Sequence, residues 1–330
     1  VLQNVRIGDG LVTGTDLDLR IDYAIGEMCE PFLVPAERLL AILRNASGDK
    51  VTLSTTATAV KVRCGSGSWT LPTEDVVEFP HWEPANLVAI CRLPADQFAR
   101  AARATVYATD NESSRYALGG VLIEVANGNP TWIGTDGRRM AIVETETDQA
   151  VDDSKTIIPA RTMSAVAGMA SGDGAVQVES NGSEVRFTLD NVTVTARLVE
   201  GRFPKWQDVL QESEVEPTVF DKDELLRAVQ AAAIVTSEHS KGIDVEFGGE
   251  KVTLSGQSSE YGQSKVTCPV LQPGAAAKTK LDPRFLSDYL RALPTDEEPS
   301  VSVAAKDHES AIILKCSDYT GVIMPLAVDG

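Results

Sequence analysis

Between residues 175 and 198 apolar and polar positions alternate. Val176 and Val178, then Val185, Phe187 and Leu189, then Val192, Val194, Ala196 and Leu198 recur at period two, which predicts strands with one buried face. Asn181-Gly182 between two of these runs is a hairpin signal. Other stretches follow helical spacing. Phe98, Ala101, Ala102 and Thr105 predict an inward face for a helix from Pro94 to Tyr107. Leu225, Leu226, Val229, Ala232 and Ala233 do the same from Lys222 to Val235. Strands are expected after each, at Gly120–Val125 and Ile243–Phe247. Two further helices follow prolines, which suit a first helical turn. One has Leu39, Leu40, Ile42 and Leu43 as its apolar face, the other Phe285, Leu286, Tyr289 and Leu290.

These elements repeat. Val34-Pro35-Ala36 recurs as Ile158-Pro159-Ala160, and Ala46-Ser47-Gly48-Asp49 as Ala170-Ser171-Gly172-Asp173, each 124 positions on. Phe79-Pro80-His81-Trp82 recurs as Phe203-Pro204-Lys205-Trp206 at the same offset, and Leu281-Asp282-Pro283-Arg284 is a weaker third copy of the proline landmark. The unit is helix, strands, helix, strands. Three units would need 372 residues, 42 more than the 330 present, and the first lacks its opening helix. The expected domains are 1–91, 92–213 and 214–330, the first missing a strand and a helix.

Hydrophobic residues at 43% and charged residues at 24% suit a folded globular chain, and 5% aromatics predict aliphatic cores. No apolar run is long enough for a membrane helix, and the start from Val1 to Arg6 has no signal-peptide pattern. The five cysteines (Cys29, Cys64, Cys91, Cys268 and Cys316) are scattered without C-x-x-C spacing, which reads as reduced, buried thiols in a cytoplasmic protein. A net charge of −18 argues against tight, bulk electrostatic binding of nucleic acid. Bases do gather on helices: Gln97, Arg100, Arg103 and Tyr107 share one face, Arg284 and Arg291 are seven apart, and Arg38, Arg44 and Arg227 lie on others.

Three stretches carry a resemblance. They are Arg115-Tyr116-Ala117-Leu118-Gly119-Gly120 followed by Gly134-Thr135-Asp136-Gly137-Arg138-Arg139-Met140; Val199-Glu200-Gly201-Arg202-Phe203-Pro204; and Val322-Ile323-Met324-Pro325-Leu326. In order and spacing the chain resembles the β subunit, or β sliding clamp, of bacterial DNA polymerase III. The resemblance implies an α+β fold of three clamp domains, with helices inside, sheets outside and a homodimer closed into a ring on double-stranded DNA. It implies no enzymatic activity and no cofactor. The implied partners are polymerase III subunits, the clamp loader and repair proteins, through segments shaped like Gln-Leu-x-Leu-Phe. It assigns Leu118, Thr135, Gly137, Arg138, Arg139, Met140, Pro204 and Val209, with Phe285, Val322, Ile323, Met324, Pro325 and Leu326, to a peptide pocket. Arg38, Arg44, Arg100, Arg103, Arg115, Tyr116, Arg227, Arg284 and Arg291 would face DNA, and Ile234 and Val235 the second protomer. Asp208 and the acidic loop Asp110–Ser113 depart from the family pattern, as does Ser240.

Read without the resemblance, Thr135-Asp136-Gly137 is turn chemistry. It leaves open an acidic β-rich hydrolase using Asp136, and a divergent clamp paralogue without ring function is the other alternative. The histidines His81, His239 and His308 are too scattered for a metal site, and no nucleophile elbow or dinucleotide fingerprint occurs. Trp82 and Trp206 read as packing residues. The sequons at Asn45, Asn111, Asn181 and Asn191 read as accidental.

Overall fold

The computed structural model describes residues 2–110, 117–147, 149, 151–210, 215–237, 242–293 and 300–327. The chain opens with β1 (Asn4–Gly8), β2 (Leu11–Thr15), β3 (Leu19–Ala24), β4 (Phe32–Pro35), α1 (Ala36–Asn45), β5 (Val51–Thr55), β6 (Ala59–Cys64) and β7 (Gly67–Pro72). β8 (Val88–Pro94) leads into α2 (Ala95–Val106), β9 (Gly120–Ala126), β10 (Asn129–Thr135), β11 (Arg139–Glu144) and β12 (Ser154–Pro159). Then come α3 (Ala160–Met169), β13 (Ala175–Ser180), β14 (Glu184–Leu189) and β15 (Val192–Arg197). The remainder is β16 (Thr218–Asp221), α4 (Lys222–Ala233), β17 (Ile243–Phe247), β18 (Lys251–Ser258), β19 (Gly262–Pro269), β20 (Ala277–Leu281), α5 (Pro283–Ala292), β21 (Ser300–Ala304), β22 (Ile312–Cys316) and β23 (Tyr319–Ile323).

Local chemistry explains the boundaries. α1 and α3 lie 124 residues apart at both ends, as the repeat requires. Pro94 ends a strand instead of opening a helix, so α2 starts one residue late. Asp221 caps α4 by accepting the Glu224 N–H at 2.8 Å, and Asp282 caps α5 through the Arg284 N–H at 2.9 Å, with Pro283 in the first turn. The expected hairpin forms between β13 and β14, where Asn181 Oδ1 accepts the N–H groups of Ser183 and Glu184.

The chain divides into two compact units, and neither is a single repeat. The first is Val1–Ala95 with Ala170–Leu198. It holds an eight-stranded antiparallel sheet in the order β4-β1-β2-β3-β15-β14-β13-β8 and a three-stranded sheet β5-β6-β7. β3 would be a bare edge; β15, some 170 residues on, pairs with it and removes that edge. Ile7, Val34, Leu39, Ile42, Val60 and Val62 form its core. Leu40 and Leu43 were expected in the same face of α1, yet both are nearly half exposed. Residues 39 and 42 share one line of the helix, and 40 and 43 lie about 100° further round, off the core.

The second unit is Asp96–Met169 with Val199–Gly330. Its sheets run β12-β9-β10-β11-β23-β22-β21-β16 and β19-β18-β17-β20. Phe98 and Trp132 pack edge to face at 5.1 Å, and α4 packs against α5 and β19. Leu122, Ile133, Met140, Ile142, Ile313 and Val322 form an apolar cluster on one face of the larger sheet. On the opposite face Ile323 joins Phe220, Leu225, Leu254 and Leu314 around a small apolar cavity.

All five cysteines are free. Cys64, Cys91 and Cys268 are buried, as expected, but Cys29 is exposed and Cys316 half-buried. Burial pushes the Cys91 thiol up to about 12, so it stays protonated and inert. Among the described residues no His, Cys, Asp and Glu group has a metal-binding arrangement, and no helix is long and apolar enough to cross a membrane.

Candidate functional site

The site assembles where β11 meets β23. Their antiparallel pairing sets Met140 opposite Val322 and Arg139 opposite Ile323. Because strand side chains alternate, Met140 and Val322 join the apolar cluster while Ile323 points the other way. Ile323 therefore belongs to the core of the third repeat, not to a groove wall. That corrects the pocket expected from sequence.

The turn from Thr135 to Arg139 supplies one rim. Thr135 Oγ1 donates to the Arg139 carbonyl at 2.7 Å and accepts the Gly137 N–H at 3.1 Å. Asp136 Oδ1 accepts the N–H groups of Arg138 and Arg139, both at 2.9 Å, and Oδ2 accepts from Arg139 Nε at 3.1 Å. Both carboxylate oxygens are thus committed to the turn, which removes the basis for reading Asp136 as a catalytic acid. Gly137 has φ of +84°, a left-handed conformation that favours glycine. The segment after β23 docks on this rim through the Met324 N–H, which donates to the Arg138 carbonyl, and then on β20, where the Leu326 N–H donates to the Lys280 carbonyl, both at 2.8 Å.

The opposite rim is the segment containing the short 3₁₀ turn Trp206–Val209. Phe203, Trp206 and Leu210 pack over the apolar cluster, and Trp206 donates its indole N–H to Glu124 at 2.7 Å. Val209 and Met324 are 36% and 39% exposed, whereas Met140 is only 6% exposed and Val322 2%. The open apolar surface is therefore carried by the two rims, with Pro204, Pro325 and Leu326 half-buried beside them. Leu118 and Thr135 are buried beneath. Asp208 is exposed on the Trp206 rim.

Glu124 is buried, which disfavours its charge, but hydrogen bonds from Lys155 and Trp206 outweigh that and hold its carboxyl below the ordinary value of 4.5. A depressed carboxyl contributes stability that is complete above its unfolded pKa and is lost as pH falls through the folded one. The Trp206 indole N–H resonance should accordingly titrate with a midpoint below 4.5. Glu124→Gln should displace it at every pH; movement centred at or above 4.5 in the wild type would contradict the anchoring.

Arg139, expected as pocket wall, is a clasp instead. Its guanidinium donates to Asp288 at 2.7 Å, to the Tyr107 carbonyl at 2.6 Å and to Asp136, and lies 4.6 Å from the Phe285 ring centroid and 5.2 Å from that of Tyr107. Phe285 is buried under it, with Arg138 5.9 Å from the same ring. Beside the clasp, the Tyr107 and Tyr319 hydroxyls meet at 2.6 Å, Tyr319 donates to the Ala104 carbonyl, and Tyr289 stacks on Tyr319 at 4.5 Å. Burial raises all three phenols, so they remain neutral donors. Tyr107 was expected on the basic face of α2; its hydroxyl turns into this junction instead. The roles of Asp288, Asp318 and Tyr319 in this junction carry no local signal, because Arg139, Arg100 and Tyr107, the groups they meet there, lie 149 to 218 residues away.

The basic residues are mostly engaged. Arg100 makes a two-pronged pair with Asp318 at 2.9 and 2.5 Å, and Arg103 donates to the Ala167 carbonyl. Arg227 pairs with Glu224, Arg284 with Asp282 and Arg291 with Asp288. Arg38 and Arg44 are exposed on α1. Ile234, at the end of α4, is 77% exposed, and Val235 is half-buried beside Gly256. Arg115, Tyr116 and Ser240, and the loop from Asn111, lie outside the described residues.

Residues 92–205 match the model of the DNA polymerase III beta subunit, central domain. A beta sliding clamp of Pseudomonas putida is 25% identical over 340 aligned positions, covering 99% of this chain and 92% of that one. A beta sliding clamp of Chlamydia pneumoniae is 26% identical, covering 89% and 80%. The sliding clamp structure of Bacillus subtilis superposes with a TM-score of 0.92 at 19% identity, covering 99% and 92%, which establishes the fold. Residues 92–205 are thus similar to the central domain of the DNA polymerase III beta subunit, and the chain aligns nearly end to end with beta sliding clamps and shares their fold.

Proposed function

We propose that the chain is a processivity clamp in which two copies close head to tail into a ring around duplex DNA, holding the replicative polymerase to its template. The supporting observation is that each large sheet continues from one repeat into the next, β3 into β15 and β11 into β23. Three repeats, 1–91, 92–213 and 214–330, are linked in this way, first to second and second to third, and two identical end contacts between two copies complete a ring. Ile234 and Val235 supply the third-repeat side of that contact, and Ile234, 77% exposed at a helix end, is accessible to a partner. The ring holds DNA by topology. That accords with a net charge of −18 and with arginines already paired to acids, since sliding needs weak, sequence-blind phosphate contacts. Arg38, Arg44, Arg100, Arg103, Arg115, Tyr116, Arg227, Arg284 and Arg291 are the groups assigned to it.

The groove between the Thr135–Arg139 turn and the Trp206 segment docks short segments of the polymerase, the clamp loader and repair proteins. Leu118, Pro204, Val209, Met324, Pro325 and Leu326 are its contacts, with Met140 and Val322 as floor. The chain carries out no catalysis, needs no cofactor and works in the cytoplasm.

Retention on circular DNA tests the reading. Loaded protein should stay on nicked circles through gel filtration and be lost once the circles are cut. Ile234→Ala with Val235→Ala should sediment as a folded monomer and fail to be retained. Retention unaffected by cutting would overturn topological binding, and a folded wild type that is never retained would favour a clamp paralogue without ring function.

A further inference from the structure

The first unit contains a counterpart of the groove with opposite chemistry. Gly134-Thr135-Asp136 recurs as Gly14-Thr15-Asp16, at an offset of 120 instead of the 124 that separates the other landmarks. The turn geometry recurs too. Thr15 Oγ1 donates to the Leu19 carbonyl at 2.9 Å and accepts the Leu17 N–H at 3.1 Å, and Asp16 Oδ1 accepts the N–H groups of Asp18 and Leu19. Leu17 has φ of +81°, close to that of Gly137. The Arg197 N–H bonds the Asp18 carbonyl at 3.0 Å, as Met324 bonds Arg138.

Ladder register aligns the two floors position by position. Where the second unit has Leu122, Ile133, Met140, Ile142, Ile313 and Val322, the first has Arg6, Thr13, Arg20, Asp22, Arg186 and Thr195. An apolar floor has become three arginines, two threonines and one acid, in a chain of net charge −18. Arg6 pairs with Asp9, and Arg20 forks onto Asp22. Arg186 Nε is shut off from solvent and has no hydrogen-bond partner. A buried donor without an acceptor is costly, and a carboxylate is the acceptor that best relieves a guanidinium.

The chain's own cover over this floor indicates what fits there. Trp82 crosses it, its carbonyl accepting from Arg20 Nη1 at 3.0 Å, its indole donating to Glu184, and its ring lying 5.8 Å from Arg197 Cζ. The stretch leading through it carries Glu74, Asp75, Glu78 and Glu83 within ten residues. We infer that the face formed by β14, β15 and β3 is a second docking site, selective for an acidic peptide segment of a partner protein, which displaces Trp82 and places a carboxylate on Arg186. It is separate from the apolar groove and does not depend on ring closure.

Fluorescence anisotropy with a labelled Glu-Ser-Glu-Ser-Glu-Ser peptide tests this. The wild type should bind it, and a Gln-Leu-x-Leu-Phe peptide should not compete. Arg186→Met should weaken binding about tenfold, the loss of one charged hydrogen bond. It should melt no lower than the wild type, because an unpartnered donor is replaced by an apolar chain. Absence of wild-type binding, equal binding by Arg186→Met, or competition by the Gln-Leu-x-Leu-Phe peptide would overturn the site. Complete displacement by inorganic phosphate at matched ionic strength would reduce it to a simple anion site and overturn the peptide assignment. Binding of the Gln-Leu-x-Leu-Phe peptide by itself reports on the apolar groove, so the two readings fail separately.

Discussion

Arg139→Leu should destabilise the second unit by about 2–3 kcal/mol, the low end for breaking a buried ionic network by removing one partner, because Asp288 keeps access to water. The side chains of Arg139 and Asp136 are only 15% and 11% exposed, against 35% for Asp288. Leucine would leave Asp288 without its 2.7 Å partner and the Tyr107 carbonyl without its donor. It would also remove the cation that lies against the Tyr107 and Phe285 rings. Asp136 would keep its two backbone N–H bonds, so the Thr135–Arg139 turn should persist while its hold on α5 and the end of α2 loosens. Arg139→Lys should recover only part of the loss, since an ammonium cannot reproduce a planar fork reaching three acceptors. Urea unfolding of the three proteins measures this. A leucine variant as stable as the wild type would show that the clasp contributes nothing.

Gly134→Ala should cost about 3 kcal/mol, the upper range for inserting a methyl group into a packed interior. A Cβ at Gly134 would stand 2.1 Å from the Thr105 carbonyl oxygen and 2.9 Å from its carbon. The obstacle is backbone, so no side-chain rotation can relieve it; β10 and α2 must separate. That movement would disturb the turn immediately after Gly134 as well as Tyr107 at the helix end. Gly168→Ala is the control. It lies in α3 with nothing within 4 Å of an added Cβ, so alanine there should stabilise by about 0.5 kcal/mol through helix propensity. Thermal melts moving in opposite directions would separate steric conflict from a general intolerance of glycine replacement. A Gly134→Ala protein melting with the wild type would contradict the close approach of strand and helix.

Much of the fold is legible in the residues taken alone. α1 and α3 repeat at 124 positions, β13 to β15 follow the period-two runs, and the hairpin at Asn181 and the caps at Asp221 and Asp282 lie where their side chains can close local hydrogen bonds. These features depend on neighbours within a few residues, so composition and spacing specify them. The Thr135-Asp136-Gly137 turn belongs with them, and so does its counterpart at Thr15. Tertiary structure decided the rest. Which strand closes β3 or β11 depends on pairing over some 170 to 180 residues, and that pairing makes each compact unit from parts of neighbouring repeats. The same registers turned Ile323 into the core while leaving Met324 at a rim. They also aligned Arg186 with Thr195 and Arg20 in one polar row. Arg139 became a clasp because folding brought Asp288 and Tyr107 to it, and Arg100 met Asp318 in the same way. Periodicity shows that a face is apolar or charged; only the packed chain determines which distant group that face meets.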